Sequence, residues 1–220
     1  MIHVVDEANK RVNALRDASK LTTGNVRSVS ASIFKKLDDK SIDHVFTLCE
    51  QLLEERSWAL WIIAYDWAFR VRNQYDEKTF DVFERWVKHY VRSWDDCDDF
   101  CTHALGELIR QDNALFSKVI KWTEHPDFWV RRAAAVSLIY PIKKGSYEGI
   151  DPFLVTDALL TDEHYLVLKG YGWMLKVLSQ KEPQAVYAYL LNKKEVMPRL
   201  AFRYALEKLG KEMKENLMKD

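Results

Sequence analysis

The sequence predicts an all-α chain of stacked helix pairs, and three observations carry that expectation. Amphipathic segments of helical period are separated by short polar breaks, the segment starts recur about every 35 to 37 residues, and no sheet-like alternation is sustained. Glycine (7) and proline (5) are scarce, while Trp (8), Tyr (10) and Phe (10) are abundant, which suits long helices packed through aromatic layers. At 220 residues and 48% hydrophobic content the chain can bury a substantial core. Its length favours one domain over 1–220 with an N-terminal helical cap over about 1–38.

The breaks come first: Asp38-Asp39-Lys40, Asn73-Gln74 and Gln111-Asp112-Asn113 interrupt the pattern with residues that favour turns. Between the first two, Ile42, Val45, Phe46, Cys49, Leu52 and Leu53 follow the three-then-four spacing of one helix face, with Ser41 placed to cap it. The next helix opens at Ser57-Trp58. Setting Arg56-Ser57-Trp58 under Arg92-Ser93-Trp94, Asp127-Phe128-Trp129 and His164-Tyr165-Leu166 aligns four helix starts, and Pro198 opens a fifth. Partner helices are expected over 80–90, 114–122, 151–160 and 183–191. That alternation is the signature of a HEAT-like α-solenoid, in which no unit hides its apolar face alone and the second helices line one surface.

Composition excludes several classes. Lys plus Arg (33) balance Asp plus Glu (33), so net charge neither argues for nor against a polyanion partner. The longest apolar stretch, near Trp58 to Phe69, is broken by Asp66 and falls short of the roughly 20 residues a membrane span needs, so no membrane partner is expected. Cys49, Cys97 and Cys101 are odd in number and follow no secretory leader, which points to a reduced, cytoplasmic setting. Cys97, Cys101 and His103 lack an evident fourth ligand, so no metal or other cofactor is expected. The histidines have no nucleophile beside them in the pattern of a Ser-His-Asp or Cys-His enzyme.

The repeat register sorts residues by role, because offsets of three, four and seven from each opening residue share one side of a helix. At offset four the first unit has Ile62 and the third Ala133, but the second has Asp98. At offset three the third has Arg132, and at offset seven the fourth has Trp173. If the second helices share a face, Trp94, Asp98, Arg132 and Trp173 converge there from adjacent units.

At these residues the chain resembles the AlkD-type HEAT-repeat DNA glycosylases that remove alkylated bases. The family's Trp followed one turn later by Asp is matched by Trp94-Asp95-Asp96-Cys97-Asp98. Its Trp-x-x-Arg-Ala-Ala element is matched by Trp129-Val130-Arg131-Arg132-Ala133-Ala134, and its Gly-Trp in a basic helix by Lys169-Gly170-Tyr171-Gly172-Trp173 with Lys176 following. Order and spacing agree from about Asn25 onward. The chain departs from the family in its opening turn, where a Gly-Val-x-Val-Pro type sequence is replaced by Asn25-Val26-Arg27-Ser28-Val29-Ser30. Its acidic run Asp95-Asp96-Asp98-Asp99 is also dense, and only Asp98 need face a DNA groove.

The resemblance implies a monofunctional hydrolase acting as a monomer on double-stranded DNA that contains alkylated bases. A purine alkylated at N3 or N7 is cationic and leaves readily, so little acid catalysis is needed. What helps is a fixed carboxylate beside a sugar that develops oxocarbenium character. The resemblance assigns that work to Asp98, with Trp94 and Trp173 attracting the cation through their ring faces. It makes Arg132 a phosphate clamp, adds Lys169, Lys176 and Lys35 as phosphate contacts, and gives Ser30 a helix-capping and phosphate-donating role. The lesion need not be flipped into a deep pocket, so bulky cationic adducts fit. Against this stand plainer assignments: Trp94 and Trp129 share the packing position of Trp58, Asp98 and Arg132 can form a structural bridge, and the lysines can be surface charges. The rival function is a non-catalytic helical module that binds damaged or branched DNA or serves as a protein scaffold.

Overall fold

The computed structural model describes residues 4–219, and no strand occurs among them. It divides into two compact units, Met1–Tyr90 and Val91–Asp220. No helix of the described residues is long and apolar enough to cross a membrane.

The first unit holds α1 (Val4–Asp17), α2 (Thr23–Lys35), α3 (Ile42–Glu54), α4 (Trp58–Arg70) and α5 (Thr79–His89). Helix α4 is buried on nearly every side, through Ala59, Leu60, Ile63, Ala64, Tyr65, Trp67 and Ala68, because α1, α2 and α3 all pack on it. Trp67 satisfies its indole N–H on the Ser30 carbonyl at 3.2 Å, so its polar edge is not stranded in the core. Helix α5 lays an aromatic layer on α3, with Phe46 ring centroids 5.4 Å from Phe83 and 5.3 Å from Trp86. Ser41 takes the extended N-cap backbone expected of it, but its side chain makes no capping bond, and Gln74 Oε1 accepts the Ile42 N–H instead.

Helix α2 corrects one expectation. It opens at Thr22, whose Oγ1 accepts the Asn25 N–H at 3.3 Å, so residues 25–30 lie within the helix and not at its start. Ser28 bonds back to the Gly24 carbonyl, and Ser30 is fully buried with its hydroxyl donating to Asp66 at 2.5 Å. A buried, committed hydroxyl reaches no phosphate, and the capping and phosphate roles expected of Ser30 do not hold.

The second unit contains α6 (Trp94–Phe100), α7 (Gly106–Gln111), α8 (Phe116–Val119), α9 (Phe128–Val136), α10 (Ile139–Lys144), α11 (Pro152–Leu159), α12 (Tyr165–Leu178), α13 (Pro183–Lys193), α14 (Arg199–Ala205) and α15 (Lys211–Met218). The aligned starts open α6, α9 and α12, and Pro198 opens α14. Side chains fix the first three starts: Ser93 and Asp96 form a reciprocal capping box, Asp127 accepts the Trp129 N–H at 2.9 Å, and His164 accepts the Leu166 N–H at 3.3 Å. These second helices form a row in which α6 packs on α9, α9 on α12 and α12 on α14. Helix α11 backs α9 and α12, and α13 joins α12 to α15.

Two second helices are interrupted. A π-helical turn, Cys101–Leu105, joins α6 to α7, and a break at Ser137-Leu138 divides α9 from α10. Pro141 explains the second, because it has no N–H to offer the Ser137 carbonyl one turn back.

Close approach of α14 to α12 depends on Gly172. A Cβ there would stand 2.8 Å from Tyr204 Cβ and 2.9 Å from the Ala201 carbonyl oxygen, and the backbone of α14 would have to move. Gly172→Ala is therefore expected to destabilise the protein by about 1–3 kcal/mol, the usual cost of overpacking, seen as a lower urea midpoint at unchanged m-value. An unchanged midpoint would mean that α14 yields freely.

Candidate functional site

The row of second helices in the second unit encloses a cleft of about 370 Å³ lined by Trp94, Asp98, Arg132, Tyr165, Leu166, Lys169 and Tyr204. Four helices contribute, α6, α9, α12 and α14. Trp94, Asp98, Arg132 and Lys169, expected from sequence to share a site, meet in this lining.

Asp98 lies one turn after Trp94, and its Oδ1 accepts two bonds from Arg132, from Nε at 3.1 Å and from Nη2 at 2.6 Å. Both end on the same oxygen, and neither engages Oδ2. Arg132 also donates Nη1 to the Leu166 carbonyl at 2.5 Å. Its side chain is only 5% exposed against 20% for Asp98. Burial raises the Asp98 carboxyl above its ordinary value, and the Arg132 charge and hydrogen bonds pull it back. With three N–H groups committed inside the protein, Arg132 is not presented as the open phosphate fork expected of it.

The acidic run around Asp98 is spent locally. Asp95 accepts from the Ser93 hydroxyl, Asp96 caps α6 through the Arg92 and Ser93 amides, and Asp99 faces His103 at 3.4 Å. Burial pushes the Asp96 carboxyl up to about 6. Only Asp98 of the four lines the cleft. Cys97 and Cys101 are buried with their sulfurs 3.9 Å apart and do not line the cleft, although Cys101 lies close enough to Asp98 and Arg132 to feel their charge.

Trp94 and Tyr165 are the aromatic walls, 58% and 55% exposed. An indole this open packs on little of its own chain, so the packing assignment weighed for Trp94 fails for it. Tyr165 ends a ladder of rings: Phe128 stacks on His164 at 3.5 Å and His164 on Tyr165 at 5.2 Å. Burial beneath Phe128 lowers the His164 pKa below the ordinary histidine value, which favours the neutral ring that accepts the Leu166 N–H. The Lys169 ammonium lies 5.2 Å over the Tyr165 ring, so the cleft already holds a cation on an aromatic face beside a carboxylate.

The other expected residues are placed elsewhere. Trp173 continues the Leu166 and Lys169 side of α12 but does not line the cleft, and the Lys143 ammonium sits 5.8 Å over its ring. Lys176 is held by Glu207 at 2.6 Å, Arg131 by Asp162 at 2.6 Å, and Lys35 is exposed in the first unit. Sequence reasoning misses Tyr165, Tyr204 and the Leu166 carbonyl among the site groups. Tyr165 carries a signal, since it stands in the aligned His164-Tyr165-Leu166 start, whereas Tyr204 carries none.

The arrangement offers an ionisable carboxylate with one free oxygen, two exposed aromatic faces and one lysine, in an open cleft. Such a set attracts and stabilises positive charge.

A family model for DNA alkylation repair enzymes matches residues 18–209. Among solved structures, the chain is similar to that of a "Predicted DNA alkylation repair enzyme" from Enterococcus faecalis, with a TM-score of 0.68 at 18% identity, covering 94% of this chain and 96% of that one. At that identity the likeness speaks for the fold alone. No curated protein matches the chain. The family match spans nearly all of the helical repeat and includes every residue of the cleft, and the chain belongs to the DNA alkylation repair enzyme family.

Proposed function

We propose that the protein is a monofunctional DNA glycosylase that hydrolyses the N-glycosidic bond of purines alkylated at N3 or N7 in duplex DNA. The observation that carries this reading is the single carboxylate lining the cleft, Asp98, held through Oδ1 by Arg132 and accompanied in that lining by the exposed rings of Trp94 and Tyr165. Glycosidases that expel a poor leaving group use a pair of carboxyl groups, one of them a proton donor. Here no second carboxylate lines the cleft among the described residues, which suits a leaving group that needs no proton.

A cationic alkylpurine is such a group. It departs with the bonding electron pair and becomes neutral, while positive charge grows on the deoxyribose. Asp98 Oδ2 stabilises that charge and takes the proton from the water that adds its oxygen to C1′, yielding free alkylpurine and an abasic sugar. The faces of Trp94 and Tyr165 each contribute about 0.5–2 kcal/mol to a cation beside them. The openness of the cleft supports action on a base that is not drawn into a deep pocket, and adducts larger than methyl are accommodated. Lys169, lodged over the Tyr165 ring and not on a carboxylate, supplies positive charge toward the phosphates.

Asp98→Asn keeps the size of the side chain and removes its charge, so duplex affinity is expected to hold or rise while alkylpurine release falls about 10²-fold or more. The check is chromatography of bases released from methylated duplex, and release at the parental rate would remove Asp98 from the mechanism. A parent protein that binds duplex and releases no base would instead leave a binding module.

Because the Asp98 carboxyl is raised and must be ionised to act, excision should fall as pH drops through its pKa. The acid limb of kcat/KM is expected above the ordinary aspartate value of about 4. A limb at or below that value would count against this carboxylate as the acting group. Lys169→Met should weaken duplex binding at low salt and reduce the salt slope by about 1. Borohydride should trap no covalent complex, whereas a trapped adduct lost in Lys169→Met would show that an amine, not water, displaces the base.

A further inference from the structure

The ring of His164 stands at a junction. Phe128 of α9 stacks on it at 3.5 Å with planes 15° apart, and it stacks in turn on Tyr165 at 5.2 Å and 26°. His164 is also the N-cap of α12: its Nδ1 accepts the Leu166 N–H at 3.3 Å, and its backbone N–H donates to Asp162 Oδ1 at 2.8 Å. The Leu166 N–H is one of the first-turn donors that a helix leaves without a carbonyl, so the imidazole lone pair is its partner. A proton on Nδ1 sets N–H against N–H and ends that bond. The cap therefore exists only with the neutral ring, and Tyr165, the first residue of the helix, is seated directly after it.

The surroundings keep the ring neutral. Burial lowers its pKa below the ordinary histidine value, Asp162 pulls the other way, and Arg131 and Arg132 of α9 add to the lowering. Asp162 is itself committed to Arg131, through bonds of 2.6 and 3.3 Å. Arg132, whose Cγ would lie 3.3 Å from a Cβ placed on Gly170 of α12, is committed to Asp98. The other ionisable groups on the packed elements are His125 and Asp127 at the head of α9, Glu163 next to the cap, and Lys169, whose ammonium lies over the Tyr165 ring. The positive end of the α12 dipole also disfavours an imidazolium at its cap.

We propose that His164 is a proton-sensitive positioning residue: its neutral imidazole, stacked between Phe128 and Tyr165 and bonded to the Leu166 N–H, holds the Tyr165 ring in the cleft wall, and protonation releases it. The catalytic part of the proposal rests on the glycosylase reading, in which one of the two aromatic faces offered to the cation is then in place only above the His164 midpoint. The coupling of His164 to Tyr165 needs no such reading.

The test begins with the unaltered full chain. Its histidine rings are titrated by NMR, with His164 assigned as the signal lost in His164→Asn. Exchange of the Leu166 amide, corrected for its intrinsic pH dependence, and the nuclear Overhauser contact between the His164 and Tyr165 rings are followed over the same range. His164 should titrate below the ordinary value of about 6.5, and below its midpoint the amide should lose its protection and the ring contact should be lost. His164→Asn keeps a capping oxygen and has no proton to gain in this range, so its Leu166 amide should stay protected at every pH. His164→Phe keeps a ring without a lone pair, so its Leu166 amide should be unprotected at every pH.

The acid limb of kcat/KM should fall more steeply in the parent than the roughly tenfold per pH unit of one ionisation, whereas His164→Asn should retain the Asp98 ionisation alone. A merely structural cap lowers stability in both variants and leaves the shape of that limb unchanged, and that result overturns the catalytic part. A Leu166 amide and a ring contact that persist below the His164 midpoint overturn the whole proposal, as does a midpoint at or above about 6.5. Should a variant fail to fold, the parent titration decides, with His164 then identified by its contacts to Phe128 and Tyr165. If the parent releases no alkylpurine, the glycosylase reading falls, and the NMR titration still decides whether the His164 proton governs Tyr165.

Discussion

A guanidinium cannot be taken out of water without partners, and the second unit is arranged to supply them to Arg132. Removing one member of such a pair leaves an uncompensated charge at a cost of about 3–5 kcal/mol, far more than an exposed ion pair contributes. Arg132 on α9 meets a carboxylate of α6 and a carbonyl of α12, so three successive repeats are tied by one side chain. The helix starts serve the same end. The capping box at Ser93 places Trp94 at the head of α6 and Asp98 one turn further, while the His164 cap sets the first turn of α12, where Leu166 and Tyr165 stand.

The site that results is spare. Its carboxylate has one oxygen satisfied and one available, its aromatic faces are open, and its lysine is already lodged over a ring. Helical repeats commonly build binding surfaces from the row of second helices, and here the row adds a charged group held rigidly by its neighbour. A carboxylate held in this way needs little reorganisation when positive charge comes to lie beside it.

Much of this is legible in the sequence for a definite reason. Caps and aromatic openings are local features, so the starts of α4, α6, α9, α12 and α14 can be aligned without knowing what they touch. The repeat register likewise gives the angle of Trp94, Asp98 and Arg132 around their helices. It carries no information on how near two helices come or which donor reaches which acceptor. That is why Arg132 reads as a phosphate clamp from sequence and is enclosed in the structure, and why Trp173, at the right angle on α12, lies beyond the cleft. Ser30 fails for a related reason: its burial under Asp66 and Trp67 depends on α4, some 36 residues away in the chain. The π turn is invisible in the sequence because the apolar pattern continues through it, whereas the break at Ser137 has its signal in Pro141 one turn later.

The enclosure of Arg132 also bears on how this lineage can change. A chain that loses the carboxylate at position 98 keeps a buried cation with one carbonyl for company, and selection for folding alone then favours losing the arginine too. Once the arginine is gone, the glycine at 170 no longer has a stem to accommodate and is free to become a better helix former. The three positions are expected to drift together. A relative that has lost this ion pair would therefore record it in three substitutions on three helices.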